Sequence, residues 1–334
     1  MSHLPLAKGI MVTNLVTVGP EDDVLRGMRL LLRHRLSGAP VVDSDRRYLG
    51  TFTQSSCMRV LCLTARESGV ETIHVPQARE FMSKKLLTLS PETDAIEAIS
   101  MLLKHRFSGA PVVDENQKIL GVFSERYIMR LLINSAYEQV PSTRVDAFMN
   151  TDRGRLIDET TDLLEVARIL LNMYYRRLPV LKDGKLIGQI SRRDVLSAEH
   201  HLARFVKGRW RTLLDHRVGR ILADVWPSGG ELPSTQISHV LETSAETIAE
   251  NLDLLAIARI FLDSNRRRLP VLREGKLLGQ ISRRDLLLKV LDLLSEHPHR
   301  EQPGLFLSAI MDPAENPILR DSHHPSAGSS PHRS

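Results

Sequence analysis

The heptapeptide GQISRRD stands at residues 188–194 and again, letter for letter, at 279–285. Each copy sets a hydroxyl, two guanidinium groups and a carboxylate in a row, as Ser191-Arg192-Arg193-Asp194 and Ser282-Arg283-Arg284-Asp285. Two chemistries fit. A Ser followed three residues later by an acid, at a strand-to-helix junction, is a capping box in which each side chain satisfies a backbone N–H. The same junction is also an anion site, because the free N–H groups and the dipole of a helix N-terminus favour phosphate. A hydroxyl there can donate to a phosphate oxygen, and a carboxylate one turn on can accept both hydroxyls of a ribose. Upstream of each copy, RRLPVL at 176–181 and 267–272 adds Arg176-Arg177 and Arg267-Arg268. Guanidinium forks suit phosphate far better than they suit a core.

Other chemistry finds no support. The sequence holds no G-x-S-x-G, H-E-x-x-H, Walker loop, C-x-x-C or G-x-G-x-x-G. The paired histidines, His200-His201, His297/His299 and His323-His324, read as surface residues rather than metal ligands. The expectation is a protein that is no enzyme and holds no metal.

The elements that must carry these turns repeat. SGAPVVD occurs at 37–43 and 108–114, and aligning on Pro40, Pro111, Pro179 and Pro270 brings four units into register. In the third unit, TDLLEVARILLNMYY carries Leu163, Val166, Ala167, Leu170 and Leu171 at helical spacing. LPVLKDGKLIGQI then reads as two β-rich runs around Asp183-Gly184, a favoured two-residue hairpin turn. Each unit is thus a short strand, a helix, a hairpin and a second helix. Short lead-ins precede the first three units at Ile10-Met11, Phe81-Met82 and Phe148-Met149.

Composition agrees with such a chain. Its 334 residues are 42% apolar and 25% charged, with only 4% aromatics, so aliphatic side chains must fill the cores. Two cysteines, Cys57 and Cys62, make no disulfide framework. No apolar run reaches membrane-spanning length and no signal peptide is evident, so a cytoplasmic location without membrane attachment is expected. The net charge of +5 is local: Arg204, Lys207, Arg209, Arg211, Arg217 and Arg220 face Asp215 alone between residues 200 and 220.

Four β-α-β-β-α units with a Pro-Val strand and a Gly-φ-φ-Ser/Thr turn resemble cystathionine-β-synthase (CBS) domains. The resemblance implies an α/β fold of α+β repeats, four CBS units packed as two Bateman modules. The expected divisions are 6–65, 77–136, 144–198 and 241–295 for the repeats. A basic insert spans 199–240, and 296–334 is a C-terminal tail, partly disordered. Likeness between units one and two, and between three and four, pairs them in that way.

In CBS domains that bind adenine nucleotides, the hydroxyl of Gly-φ-φ-Ser/Thr-x-x-Asp meets the phosphate and the Asp holds the ribose. Carried over, this implies Ser191 and Asp194 in unit three and Ser282 and Asp285 in unit four. Arg176 and Arg267 take the place of the family's phosphate-binding base, and Val180 and Val271 would line the adenine slot. Units one and two keep the hydroxyls Thr53 and Ser124, but Ser56 and Tyr127 replace the carboxylate and Ser37 and Ser108 the base. Their clefts are expected to be weak or empty, with binding confined to residues 144–295.

The implied function is a stand-alone regulatory sensor of AMP, ADP or ATP, with S-adenosylmethionine as another ligand of the class. It has no obligatory cofactor and acts on an unidentified regulated protein by ligand-dependent rearrangement. The four repeats could close within one chain or across a homodimer. The alternative is a nucleic-acid or protein-partner scaffold built on the insert, where Phe205 and Trp210 interleave the basic residues and Leu202, Leu213 and Leu214 could dock a partner.

Overall fold

The computed structural model describes residues 4–67, 76–137, 144–173, 175–205, 236–264 and 266–295. Unit one comprises α1 (Ala7–Ile10), α2 (Val24–Arg33), β1 (Gly38–Val42), β2 (Tyr48–Thr53) and α3 (Gln54–Glu67). Unit two comprises α4 (Ala78–Phe81), α5 (Ala95–His105), β3 (Gly109–Val113), β4 (Ile119–Ser124) and α6 (Glu125–Tyr137). Unit three comprises β5 (Ile157–Asp158), α7 (Leu163–Asn172), β6 (Arg177–Lys182), β7 (Lys185–Ser191) and α8 (Arg192–Phe205). Unit four comprises β8 (Ile248–Ala249), α9 (Leu254–Asp263), β9 (Arg268–Arg273), β10 (Lys276–Ser282) and α10 (Arg283–Ser295). Among the described residues no helix is long and apolar enough to cross a membrane.

Local chemistry sets these boundaries. Asp23, Asp94, Asp162 and Asp253 each cap the first long helix of their unit by accepting from a first-turn N–H. Asp183-Gly184 and Glu274-Gly275 have φ of 49° and 75°, and 50° and 77°. Two consecutive positive φ values give the turn whose twist matches a hairpin. The opening strand of units three and four pairs in parallel with β6 or β9, whereas units one and two keep only the bridges Val18–Val41 and Leu89–Val112.

The units are not paired as sequence likeness implies. The lead-in of unit one bridges to unit four at Leu6–Asp253 and Val12–Gln280, and unit four returns a lead-in to unit one at Asp23–Gln236 and Thr51–Glu242. Units two and three exchange lead-ins likewise, through Gln77–Asp162, Ser83–Gln189, Asp94–Arg144 and Val122–Asn150. Each lead-in drops a side chain against the hairpin glycine of its partner: Met11 on Gly279, Leu241 on Gly50, Met82 on Gly188 and Met149 on Gly121. A side chain on the glycine would occupy the same space, which is why the turn motif begins with Gly. The strand-joined pairs are therefore one with four and two with three. Likeness between units reports shared local requirements; these glycine contacts decide which unit packs on which.

Helices close the other two sides. α3 packs on α7 and α8, and α6 on α9, so unit one meets unit three and unit two meets unit four. Each helix interface has its own core, one around Leu31, Phe52, Met58, Leu170 and Leu196, the other around Leu102, Phe123, Met129, Phe261 and Leu286. The four units form a ring joined alternately by strands and helices.

Of the expected insert, residues 199–205 prolong α8 and 206–235 lie outside the described residues, as does the tail 296–334. Residues 236–242 are a fourth lead-in, carrying Val240 and Leu241, so the expected boundary between insert and fourth repeat at 240/241 falls inside it.

Candidate ligand site

The ring brings arginines together at its centre. Two cavities open there, of about 160 and 140 Å³, so size does not distinguish them. The first gathers Arg176, Arg177, Arg192 and Arg193 from unit three and Arg266, Arg267 and Arg268 from unit four. Glu242 is the single carboxylate on its wall. Ser191, Thr53, Gln54, Ser55 and Ser37 add hydroxyls and an amide, and Ser108 enters from unit two.

Several of these guanidinium groups are anchored by the protein itself. Arg192 donates to Ser55 Oγ at 2.5 Å and to the Leu170 carbonyl at 2.6 Å. Arg193 reaches the Arg35 carbonyl at 2.9 Å, and Arg268 donates to Ser37 Oγ and the Gly38 carbonyl. Arg266 is held by Glu242, which also accepts from Thr53 Oγ1 at 2.9 Å. Arg267 lies 3.9 Å from the buried carboxylate of Glu125.

Positive charge outweighs negative throughout this centre. Lost hydration, then the neighbouring Arg267, Arg283 and Arg192, drive the Arg176 guanidinium well below the usual arginine range. Burial, reinforced by Arg267, pushes Arg268 down to about 10, and burial does the same for Arg283. Like charges held together in a poorly hydrated space attract an anion strongly, since the anion replaces both lost water and missing counter-charge.

The sequence candidates divide. Ser191, Arg176, Arg267 and Thr53 line the first cavity, and Arg176 and Ser124 the second. Asp194 accepts from Ser191 N–H at 2.7 Å and Ser191 Oγ at 2.6 Å, while Ser191 Oγ accepts from Asp194 N–H. Ser282 and Asp285 repeat this box at 2.7 and 2.6 Å. The capping geometry is thus formed in both copies, through Oδ2 alone. Asp285 lies instead on an open depression with Gly9, Ile10 and Lys289. Val180 and Val271 are wholly enclosed in the two cores, opposite Ile157 and Ile248, so the valines supply no exposed slot wall. Their side of the strand faces the helices rather than the cavity.

The cavity itself is not confined to residues 144–295, because unit one supplies six of its ten neutral lining residues. Sequence reasoning missed Glu242, which belongs to the fourth lead-in, and Glu125, Arg266 and Arg283. The signal for Arg283 was present: Arg192, Arg283, Glu125 and Gln54 share the second position of their four turns.

Comparison with known proteins fits this architecture. The CBS domain family model matches residues 7–62, 78–134, 148–201 and 237–292. The chain is 34% identical over 164 residues to the chloroplastic CBS domain-containing protein CBSX1 of Arabidopsis thaliana, covering 41% of this chain and 67% of that protein. It is 23% identical over 286 residues to MJ1225 of Methanocaldococcus jannaschii, covering 82% and 94%, and the solved structure of MJ1225 superposes with a TM-score of 0.37 over 85% and 99%. CBSX2 of the same plant is 28% identical over 195 residues, covering 48% of this chain and 81% of CBSX2. Its crystal structure in complex with AMP gives a TM-score of 0.34 at 31% identity over 38% of this chain and 98% of that one. With four matches that together span more than half its length, the chain belongs to the CBS domain family.

Proposed function

We propose that this protein is a stand-alone regulatory sensor that binds an adenine nucleotide in the first cavity, its phosphates on the arginines of units three and four. The observation that carries the reading is the meeting of seven arginines with a single carboxylate on one cavity wall. Phosphate oxygens match guanidinium forks bidentately, and Ser191 at the start of α8 adds a hydroxyl beside a helix N-terminus. CBSX2, related in sequence, is a protein crystallised with AMP, which makes AMP the first ligand to test. The proposed repeats keep the bounds given above except that the fourth takes in the lead-in from residue 236, and the site residues are Ser191, Arg176 and Arg267 with Thr53.

Regulation follows from where the cavity lies. Its wall comes from units one, three and four, across one strand-joined and one helix-joined interface, with Ser108 added from unit two. A ligand there favours whichever arrangement of units brings the arginines onto its phosphates, and it shifts that balance only by its differential affinity. A regulated protein would read the arrangement.

Calorimetric titration of the full chain with AMP, ADP, ATP and S-adenosylmethionine tests this. The three nucleotides should bind, and S-adenosylmethionine, which has a sulfonium cation and no phosphate, should bind far more weakly. Absence of binding by all three nucleotides would overturn the reading.

A further inference from the structure

The second cavity lies between units two and three, around the turn of unit two that lacks the ribose carboxylate. Its wall carries Arg126, Arg155, Arg176, Arg177 and Arg283 against the single acid Glu125. Arg155 is the distinctive member. Its Nε and Nη1 are buried and have no hydrogen-bond acceptor among the described residues. The group stacks on the ring of Tyr175, 4.3 Å from the centroid, and Tyr175 is itself tied through its hydroxyl to Asp152. Burial lowers the pKa of Arg155, with Tyr127 and Asp152 opposing. Two enclosed N–H donors on a guanidinium held flat by an aromatic ring, one on its side-on and one on its end-on edge, have no internal partner.

The rest of the wall decides what these donors can take. Tyr127, standing where the other turns have Asp194 and Asp285, accepts from Asn150 Nδ2 at 2.6 Å. Glu125 is drawn toward Arg267 and the neighbouring arginines. Among the described residues no carboxylate is therefore placed to hold a ribose diol, while Ser124 Oγ and the arginines remain. We infer that the second cavity is a separate anion site for a compact phosphate group, bound by Arg155 with Arg176 and Arg177 and without recognition of a nucleoside. This rests on the anion reading of the centre but not on AMP binding in the first cavity. Because Arg176 and Arg177 line both cavities, an anion in one draws on charge the other also uses. Filling the first cavity weakens the second several-fold without abolishing it.

The test uses inorganic pyrophosphate and the full chain, wild type and R155M, titrated before and after saturation with AMP. Arg155 ends a short helical turn, Arg153–Arg155, whose residues are not part of either core, so the variant should keep the wild-type melting temperature. Pyrophosphate should bind AMP-saturated wild type, and R155M should weaken that binding roughly tenfold or more while leaving the AMP titration unchanged. Equal pyrophosphate affinity in the two AMP-saturated proteins, or simple displacement of AMP, would overturn the inference. If AMP binds neither protein, the proposed function fails, and the same wild-type against R155M comparison in AMP-free protein still decides this site. A control with inorganic phosphate alone separates a site for one phosphate from one that needs two.

Discussion

The two copies of GQISRRD have the same sequence and the same internal hydrogen bonds, yet their side chains line different cavities. In the copy at 188–194, Ser191, Arg192 and Arg193 all line the first cavity. In the copy at 279–285, Gln280 touches the first cavity, Arg283 the second, and Asp285 an outer depression. What differs is the unit across the helix interface. Unit one presents the neutral turn Thr53-Gln54-Ser55, with Gln54 Nε2 held on the Leu36 carbonyl at 2.9 Å. Unit two presents Glu125, a buried acid among arginines. A turn's chemistry is thus set by its neighbour as much as by its own letters: a neutral neighbour leaves positive charge for a ligand, and an acidic one absorbs part of it.

The largest effect should come from erasing that difference. Glu125→Gln removes the internal counter-charge beside Arg267 and Arg283, and loss of one member of a buried charge cluster typically costs about 3 kcal/mol. The variant should melt well below wild type in anion-free buffer and recover much of the loss when pyrophosphate is added, since a bound anion stabilises by mass action. A melting temperature unchanged without anion would mean that the arginines do not depend on Glu125.

Next comes Arg176, which lines both cavities, as Arg177 does. Arg176→Met should weaken nucleotide binding about ten- to a hundredfold, the equivalent of roughly 1.5–3 kcal/mol for a charge-assisted bond. Stability should hold or rise, because an apolar side chain of similar length removes a desolvated like charge. A fall in stability with nucleotide affinity intact would assign Arg176 a structural role instead.

Much of this arrangement was legible in the sequence, and the failures have physical causes. The four units, their hairpins and the Asp-Gly turn follow from periodicity and turn chemistry, which are local. The partner of each unit is not local. Met11 could not be placed on Gly279, nor Leu241 on Gly50, from spacing alone, because nothing in a single strand records which lead-in will cover it. The same gap hid Glu242 and Glu125. Arg176 and Arg267 were expected at phosphates from the family resemblance and both line the first cavity, whereas Val180 and Val271 read equally as wall and as core, and both are enclosed in the cores.

A smaller effect tests the pairing itself. On Gly279 a Cβ would meet Met11 Sδ and the Val12 carbonyl oxygen, both at 2.8 Å. Gly279→Ala should therefore destabilise by about 2 kcal/mol, the usual cost of overpacking against backbone. Gly9 in α1 has open space around it, so Gly9→Ala should be neutral or slightly stabilising. Equal melting temperatures for the two alanine variants would contradict the exchange of lead-ins between units one and four.

The smallest effect separates the two heptapeptides most sharply. Asp194→Ala and Asp285→Ala delete the same capping box, with nearly the same bond lengths, so each should lose about 1 kcal/mol of stability and the two should melt alike. Their ligand affinities should not be alike. Asp194 orders Ser191, Arg192 and Arg193 on the wall of the first cavity, and its Oδ1 is not used by the box. Asp285 orders a turn that sends only Arg283 inward, toward the second cavity. AMP affinity should fall roughly tenfold in the Asp194 variant, the scale of one lost charge-assisted bond, and change by less than twofold in the Asp285 variant. Equal losses of affinity would make both turns nucleotide sites, as their identical sequences first imply. Wild-type affinity in both, with both melting early, would reduce the repeated turn to a helix cap and leave recognition to the arginines alone.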